Sequence, residues 1–248
     1  GAVIWQKEYN GTTNKTDFGT DVICYGNYIY VSGVSWDTVA NTSMFITLQF
    51  DTNGTRLWGK AYKGAFNGYN FPTKMVTDNS GNVFVVGTSQ TAANDYAMVT
   101  LKYNPSGVLQ WTNVYDSVGL SDGAGGIRYN SATNKITVYG ASGSTTSNWD
   151  FILQNINPST GASLDRSRVN NSNAYFAKPT DIVKDANDFI YATGTITTGA
   201  NNSDIKVIKL DTFLNVVWTR TIDGGASKND EATAMKLDSK GNILITGS

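Results

Sequence analysis

The sequence predicts an all-β protein, a β-propeller of four-stranded antiparallel blades, on three observations. A strand motif ending in glycine recurs at Gly33, Gly87, Gly140, Gly194 and Gly247, with spacings of 54, 53, 54 and 53 residues. Tryptophan keeps the same period at Trp5, Trp58, Trp111 and Trp218, with Leu164 at the remaining position. Between these markers apolar residues alternate along short segments, and no stretch carries the 3.6-residue period of a helix.

Each unit reads as four strands. Residues 58–62, like 5–9 and 111–115, alternate large and small side chains. A polar loop leads to a short strand, 74–77 or 181–184, and then to a tight turn, 78–82 or 238–242. Asp heads that turn because its carboxylate accepts backbone N–H groups, and Gly supplies the positive φ that the turn needs. The β-branched and aromatic strand ending in glycine follows, then a further strand at 97–103, 150–156 or 204–210. A second turn, 51–54 or 104–107, leads into the next tryptophan. The repeats therefore run approximately over 5–57, 58–110, 111–164, 165–217 and 218–248, the last incomplete, in a single propeller domain spanning 1–248 or part of one.

Four antiparallel strands cannot bury both faces of their own sheet, so each unit must stack on its neighbours. Radially arranged blades do this while limiting exposed edges. The recurrent Trp is expected between adjacent sheets, where burial stabilises by about 2–3 kcal/mol. Leu164 is expected to weaken one such contact.

Composition excludes several functions. The 248 residues are 40% apolar and 16% charged with a net charge of -1, so no basic surface points to nucleic acid. No apolar run is long enough to span a bilayer, so no membrane insertion is expected. Histidine is absent, which removes the commonest general base and metal ligand. The single cysteine, Cys24, is read as a small buried apolar residue.

The pattern Asp/Asn-x-x-Gly-Asn-(Val/Ile)-(Phe/Tyr)-Val-x-Gly, followed by Lys-(Leu/Tyr)-(Asp/Asn)-x-x-Gly-x-x-x-Trp, resembles the bacterial β-propeller repeat whose family name refers to seven blades. The resemblance covers essentially the whole chain and is clearest in 58–111 and 179–248. Units three and four depart from it at Gly125-Gly126 and at Leu164-Asp165. It implies a bacterial, exported or surface-displayed protein that is seldom an enzyme. Residue 1 aligns with a glycine inside a hairpin turn, so the chain is expected to be an excerpt, either an arc of a larger propeller or a five-bladed ring lacking one strand.

Three groups of residues are candidates for chemistry. Asp223, Asp230 and Glu231, with Asp122 in the corresponding loop of unit three, offer carboxylates of the kind glycosidases use, set against solvated loop charges. Asp51, Asp78, Asp211 and Asp238 lack the ligand spacing of a calcium loop and are read as turn residues. Trp36, Tyr69, Phe71, Trp149, Tyr175 and Phe176 lie near loops beside Asn and Asp, where rings stack on sugars or meet a protein partner. Phe66 lies in the same loop as Tyr69.

The reading is therefore a noncatalytic propeller, not an enzyme, acting as a protein-interaction, adhesion or assembly scaffold outside the cell or on its surface. The six aromatics are its contact residues, its partner is a protein or a glycan, and it carries no catalytic residue, cofactor or metal. A carbohydrate-binding propeller is the alternative, and a carbohydrate-active hydrolase a further one.

Overall fold

The computed structural model describes residues 1–11, 16–37, 42–117, 120–143, 148–169, 176–199, 202–224 and 229–248. Every named element in them is a β-strand. The chain forms two compact units, Gly1–Asp116 and Ser117–Ser248.

The first unit holds two four-stranded antiparallel sheets, each in sequential order. Sheet one is β1 (Asp17–Tyr25), β2 (Tyr28–Asp37), β3 (Thr42–Asp51) and β4 (Arg56–Tyr62). Sheet two is β5 (Asn70–Thr77), β6 (Val83–Ala92), β7 (Asp95–Tyr103) and β8 (Leu109–Tyr115). In the second unit, sheet three is β9 (Asp122–Asn130), β10 (Lys135–Gly143), β11 (Trp149–Ile156) and β12 (Ser163–Val169). Sheet four is β13 (Phe176–Lys184), β14 (Ile190–Gly199), β15 (Asn202–Leu210) and β16 (Val216–Ile222), and β17 (Ala232–Leu237) pairs with β18 (Ile243–Gly247). The tryptophan strand closes its sheet, so units counted from the tryptophan run one strand ahead of the sheets.

The recurring glycine has a steric cause. The first strand of each sheet carries a bulge opposite it, between Gly19 and Asp21 in β1 and between Pro72 and Lys74 in β5. A Cβ on Gly33 would overlap the carbonyl oxygen of Phe18, and one on Gly87 would overlap that of Phe71. Gly140 and Gly194 meet the first-strand carbonyls of Gly123 and Lys178 in the same way, and Gly247 meets that of Glu231, just before β17.

Trp5 and Trp58 each reach a turn of the sheet that follows them. Trp58 lies 6.1 Å from Tyr30 of its own sheet and 6.0 Å from Tyr103 of sheet two. Its ring covers Gly107, whose φ of 75° and lack of a Cβ both suit the position. Trp5 covers Gly54, at φ 79°, in the same way. In sheet three Leu164 is 48% exposed, and the turn of sheet four has Leu214 where the others have glycine. Leu214 takes φ 63° and is only 2% exposed, so its own side chain fills space that an indole fills elsewhere.

Between sheets one and two the core joins Tyr30 and Phe45 to Met75, Val85, Val99 and Leu101. Between sheets three and four it joins Tyr139, Phe151 and Leu153 to Ile182, Ile196, Ile208 and Leu210. Gly125 and Gly126 make room for the ring of Tyr139, whose hydroxyl donates to Thr180 O of sheet four at 3.2 Å.

Cys24 corrects an expectation: it is exposed rather than buried. On β5 the face toward sheet one is covered, and Met75 there is 5% exposed. The corresponding face of β1 is exposed, with Val22 at 62%.

Candidate functional site

In a sequentially paired sheet, the connections from strand two to strand three and from strand four to the next sheet lie at one end. At that end a side chain caps the incoming loop by accepting a backbone N–H. Asp17 accepts Gly11 N at 2.7 Å, Asn70 accepts Gly64 N at 3.1 Å, Asp122 accepts Ser117 N at 2.6 Å and Asp230 accepts Gly224 N at 2.6 Å. Asp17, Asn70 and Asp122 head their strands and Asp230 lies two residues before β17, and each is a loop cap before it is anything else.

At the fourth sheet this cap joins two more carboxylates. Asp204 is the third residue of β15, and the register that sets Ile205 opposite Ile222 brings Asp223 opposite Asp204. Asp230 N donates to Ser203 O at 2.6 Å and Ser203 N to Asn229 Oδ1 at 3.1 Å, which ties the loop to the head of β15. One carboxylate oxygen from each of Asp204, Asp223 and Asp230 lies within 4.8 Å of the other two. Asp204 is 5% exposed and accepts Asn202 Nδ2 at 3.3 Å, while Asp223 is exposed and Asp230 half-buried. A divalent cation would find three oxygen donors here, and a glycosidic bond would find an acid and a base.

Comparison with sheet three shows what is particular to the fourth. Asp150 occupies the place of Asp204, and Arg168 meets it at 2.8 Å. Arg168 stands opposite Ile152, whereas the residue opposite Lys206 in the fourth sheet is Thr221. Sheets one and two have Met44 and Ala97 at the Asp204 position. Burial lowers the readiness of the Lys206 ammonium to hold its proton.

Of the carboxylates singled out in the sequence, the structure brings Asp223 and Asp230 together. Glu231 is exposed and is not in the group, its backbone pairing with Ser248. Asp122 caps its own loop and is 1% exposed. Asp204 was missed because it sits inside a strand. Its signal is a carboxylate at a strand position filled by Met and Ala in the first two units.

The turn residues are accounted for by hydrogen bonds. Asp78 Oδ1 accepts Ser80 N and Asn82 N, both at 2.9 Å, and Asp51, Asp211 and Asp238 repeat the pattern. Hydrogen bonds from the side chain and backbone of Asn242 hold the Asp238 carboxyl below its usual range. For Asp211 slight burial opposes ionisation, and hydrogen bonds from Asn215 and Phe213 outweigh it and lower the pKa.

The aromatic candidates group in two places at the loop-capping end. Trp36 of β2 meets Tyr69 edge-on at 5.5 Å and Phe71 at 6.4 Å, and Tyr69 stacks on Phe71 at 6.2 Å. Trp149 of β11 meets Phe176 of β13 at 6.4 Å. All but Phe176 are half-buried, Phe176 being 43% exposed. Tyr175 lies outside the described residues.

No protein-family model and no curated protein matches the chain. Solved structures do. A thermostable family-43 glycoside hydrolase superposes with TM-score 0.51 at 10% identity, over 97% of this chain and 87% of that one. An alpha-L-arabinofuranosidase from Fusarium graminearum gives 0.50 at 12% identity, over 88% and 71%. The acylaminoacyl peptidase of Pyrococcus horikoshii gives 0.53 at 10% identity, over 98% of this chain, which spans only 37% of the peptidase. These likenesses show the fold, a β-propeller of four-stranded antiparallel blades. They overturn the expectation of a noncatalytic scaffold for protein interaction, adhesion or assembly that is not an enzyme. Two of these three chains are named for acting on glycosides, the third is a peptidase, and none is named as a scaffold.

Proposed function

We propose that this chain is a carbohydrate-active β-propeller that cleaves glycosidic bonds at Asp204, Asp223 and Asp230. The observation that carries the reading is the convergence of three carboxylate oxygens within 4.8 Å at the loop-capping end of one sheet. Glycoside cleavage needs one carboxyl group to protonate the leaving oxygen and a second to attack the sugar or to activate water. Asp204 and Asp223 face each other across the strand pair as the reacting two. Asp230, tied to Gly224 N, holds the loop and completes the group. Glycosidase neighbours of the same fold support the reading.

The test is hydrolysis of a panel of aryl glycosides and of arabinan and xylan by the full chain. Asp204→Asn and Asp223→Asn should each lower the rate about a hundredfold or more. Full activity in both variants, or none on any substrate with the wild-type chain, would sink the reading.

In the same proposal the half-buried rings of Trp36, Tyr69, Phe71 and Trp149, with Phe176, are contacts for a glycan at the loop-capping ends of their sheets. The motif pattern further supports assignment of the repeat to the bacterial β-propeller repeat and an extracellular or surface location, where polymeric glycans occur. Recovery of the native protein from culture medium or a surface fraction tests that location, and recovery from cytosol alone would count against it.

A further inference from the structure

The second unit has a cleft of about 360 Å³ at the opposite end of its sheets, where the first strands run into their tight turns. Arg128, Tyr129 and Asn130 of β9 form one wall, Ile182 and Lys184 of β13 lie across from them, and Leu237 of β17 adds to the lining. The volume falls within the range of small-ligand sites, toward its lower end.

The cleft is polar but close to neutral. Arg128 Nη2 meets Asp181 Oδ1 at 3.1 Å. Lys184 pairs with Asp188, and Asn130 Nδ2 donates to the same Asp188 oxygen at 3.2 Å. Each cation therefore has a carboxylate beside it, and an added anion would meet that carboxylate as well. What the cleft offers is guanidinium and ammonium N–H donors and the Asn130 amide, with the half-buried ring of Tyr129 and the half-buried side chains of Val183 and Leu237 as its apolar surface. A neutral sugar ring has the matching chemistry, with hydroxyls at its edge and a C–H face.

We propose that this cleft is a second carbohydrate-binding site, taking one or two neutral sugar units, distinct from the carboxylate group and without chemistry of its own. Sheets three and four present the two sites at opposite ends. A chain holding a glycan at both can keep hold of a polymer while one end is processed.

The experiment is saturation-transfer NMR on the full chain carrying Asp223→Asn, with D-xylose, L-arabinose, D-galactose and D-glucuronate as probes. Saturable binding of at least one neutral sugar is expected, with Kd on the order of 1 mM. Leu237→Trp, which fills the cleft, should weaken it at least tenfold, and Arg128→Met should weaken it severalfold. Where Leu237→Trp lowers the melting temperature, Tyr129→Ala on the opposite wall replaces it. Binding of glucuronate alone, binding unchanged in the cleft variants, or no sugar binding at all would overturn the proposal. Hydrolysis lost with Asp204→Asn but intact with Leu237→Trp separates this site from the reacting one.

Discussion

The indole Nε1 of Trp58 donates a hydrogen bond to the carbonyl oxygen of Pro105 at 3.0 Å, from one sheet to a turn of the next. Trp5 repeats it on Thr52 O at 2.9 Å. Where Leu164 stands in place of the tryptophan, the matching carbonyl, Thr212 O, is still satisfied. Lys135 Nζ donates to it at 3.0 Å and Asn155 Nδ2 at 3.1 Å, and both also bind Asp165. One obligation of the backbone is met by two unrelated side-chain solutions.

The exchange of Trp and Gly for Leu164 and Leu214 predicts coupling. Leu164→Trp alone should lose about 1–3 kcal/mol by crowding Leu214. Leu214→Gly alone should lose about 2–5 kcal/mol by opening a cavity, even though glycine relieves the positive φ. The double variant should be more stable than the sum of the two losses by about 1 kcal/mol or more in urea unfolding. Strict additivity would show that the two positions do not share a space.

Gly87→Ala should be among the most damaging single changes in the chain. Its Cβ would meet the Phe71 carbonyl, the Phe45 ring and Pro72 Cα together, so neither backbone nor core can yield. A loss of about 3 kcal/mol or more is expected in the same unfolding assay. A substitution at open Gly123, with nothing within 4 Å, is the contrasting control.

Asp230 separates structure from chemistry. Asn70, in the corresponding place of sheet two, shows that an amide oxygen can take the carboxylate's place as the N–H acceptor, at 3.1 Å. Asp230→Asn should therefore keep the melting temperature while lowering glycoside hydrolysis, whereas Asp230→Ala should also cost about 1 kcal/mol of stability. Equal thermal loss in both would show that the charge, not the cap, holds the loop.

Two windows of pH sensitivity follow from the titrating groups. The Asp211 and Asp238 carboxyls are held below the ordinary 3.8, as is Asp165, where burial is opposed by hydrogen bonds from Lys135 and Asn155. Groups depressed in the folded state give stability that is present above 3.8 and lost as pH falls through their folded values. At the other extreme, burial, with Tyr62 nearby, raises Tyr103 from 10.0 to about 12. Its contribution is full below pH 10 and lost as pH rises toward 12, so Tyr103→Phe should flatten the alkaline limb of a melting-temperature profile.

Much of the architecture was readable because steric demands repeat. The glycine opposite each bulge and the periodic tryptophan, replaced by Leu164 at one position, leave a mark every 53 or 54 residues, and that period counted the sheets. Strand phase was not readable, since which sheet claims the Trp58 strand depends on pairing rather than on pattern. Asp223 and Asp230 were visible as loop carboxylates, but Asp204 joins them only through the β15–β16 register. The capping role of Asp122 and Asp230 was likewise hidden, because it depends on a backbone N–H five or six residues upstream. The function expected from the resemblance was displaced by likeness of fold, which no local motif carries.

The exposed face of β1 leaves the protein with one thiol, at Cys24, in reach of solvent. That makes it a built-in reporter. A maleimide dye would attach at a single known place, and whatever settles on Val22 and its neighbours would slow the labelling reaction.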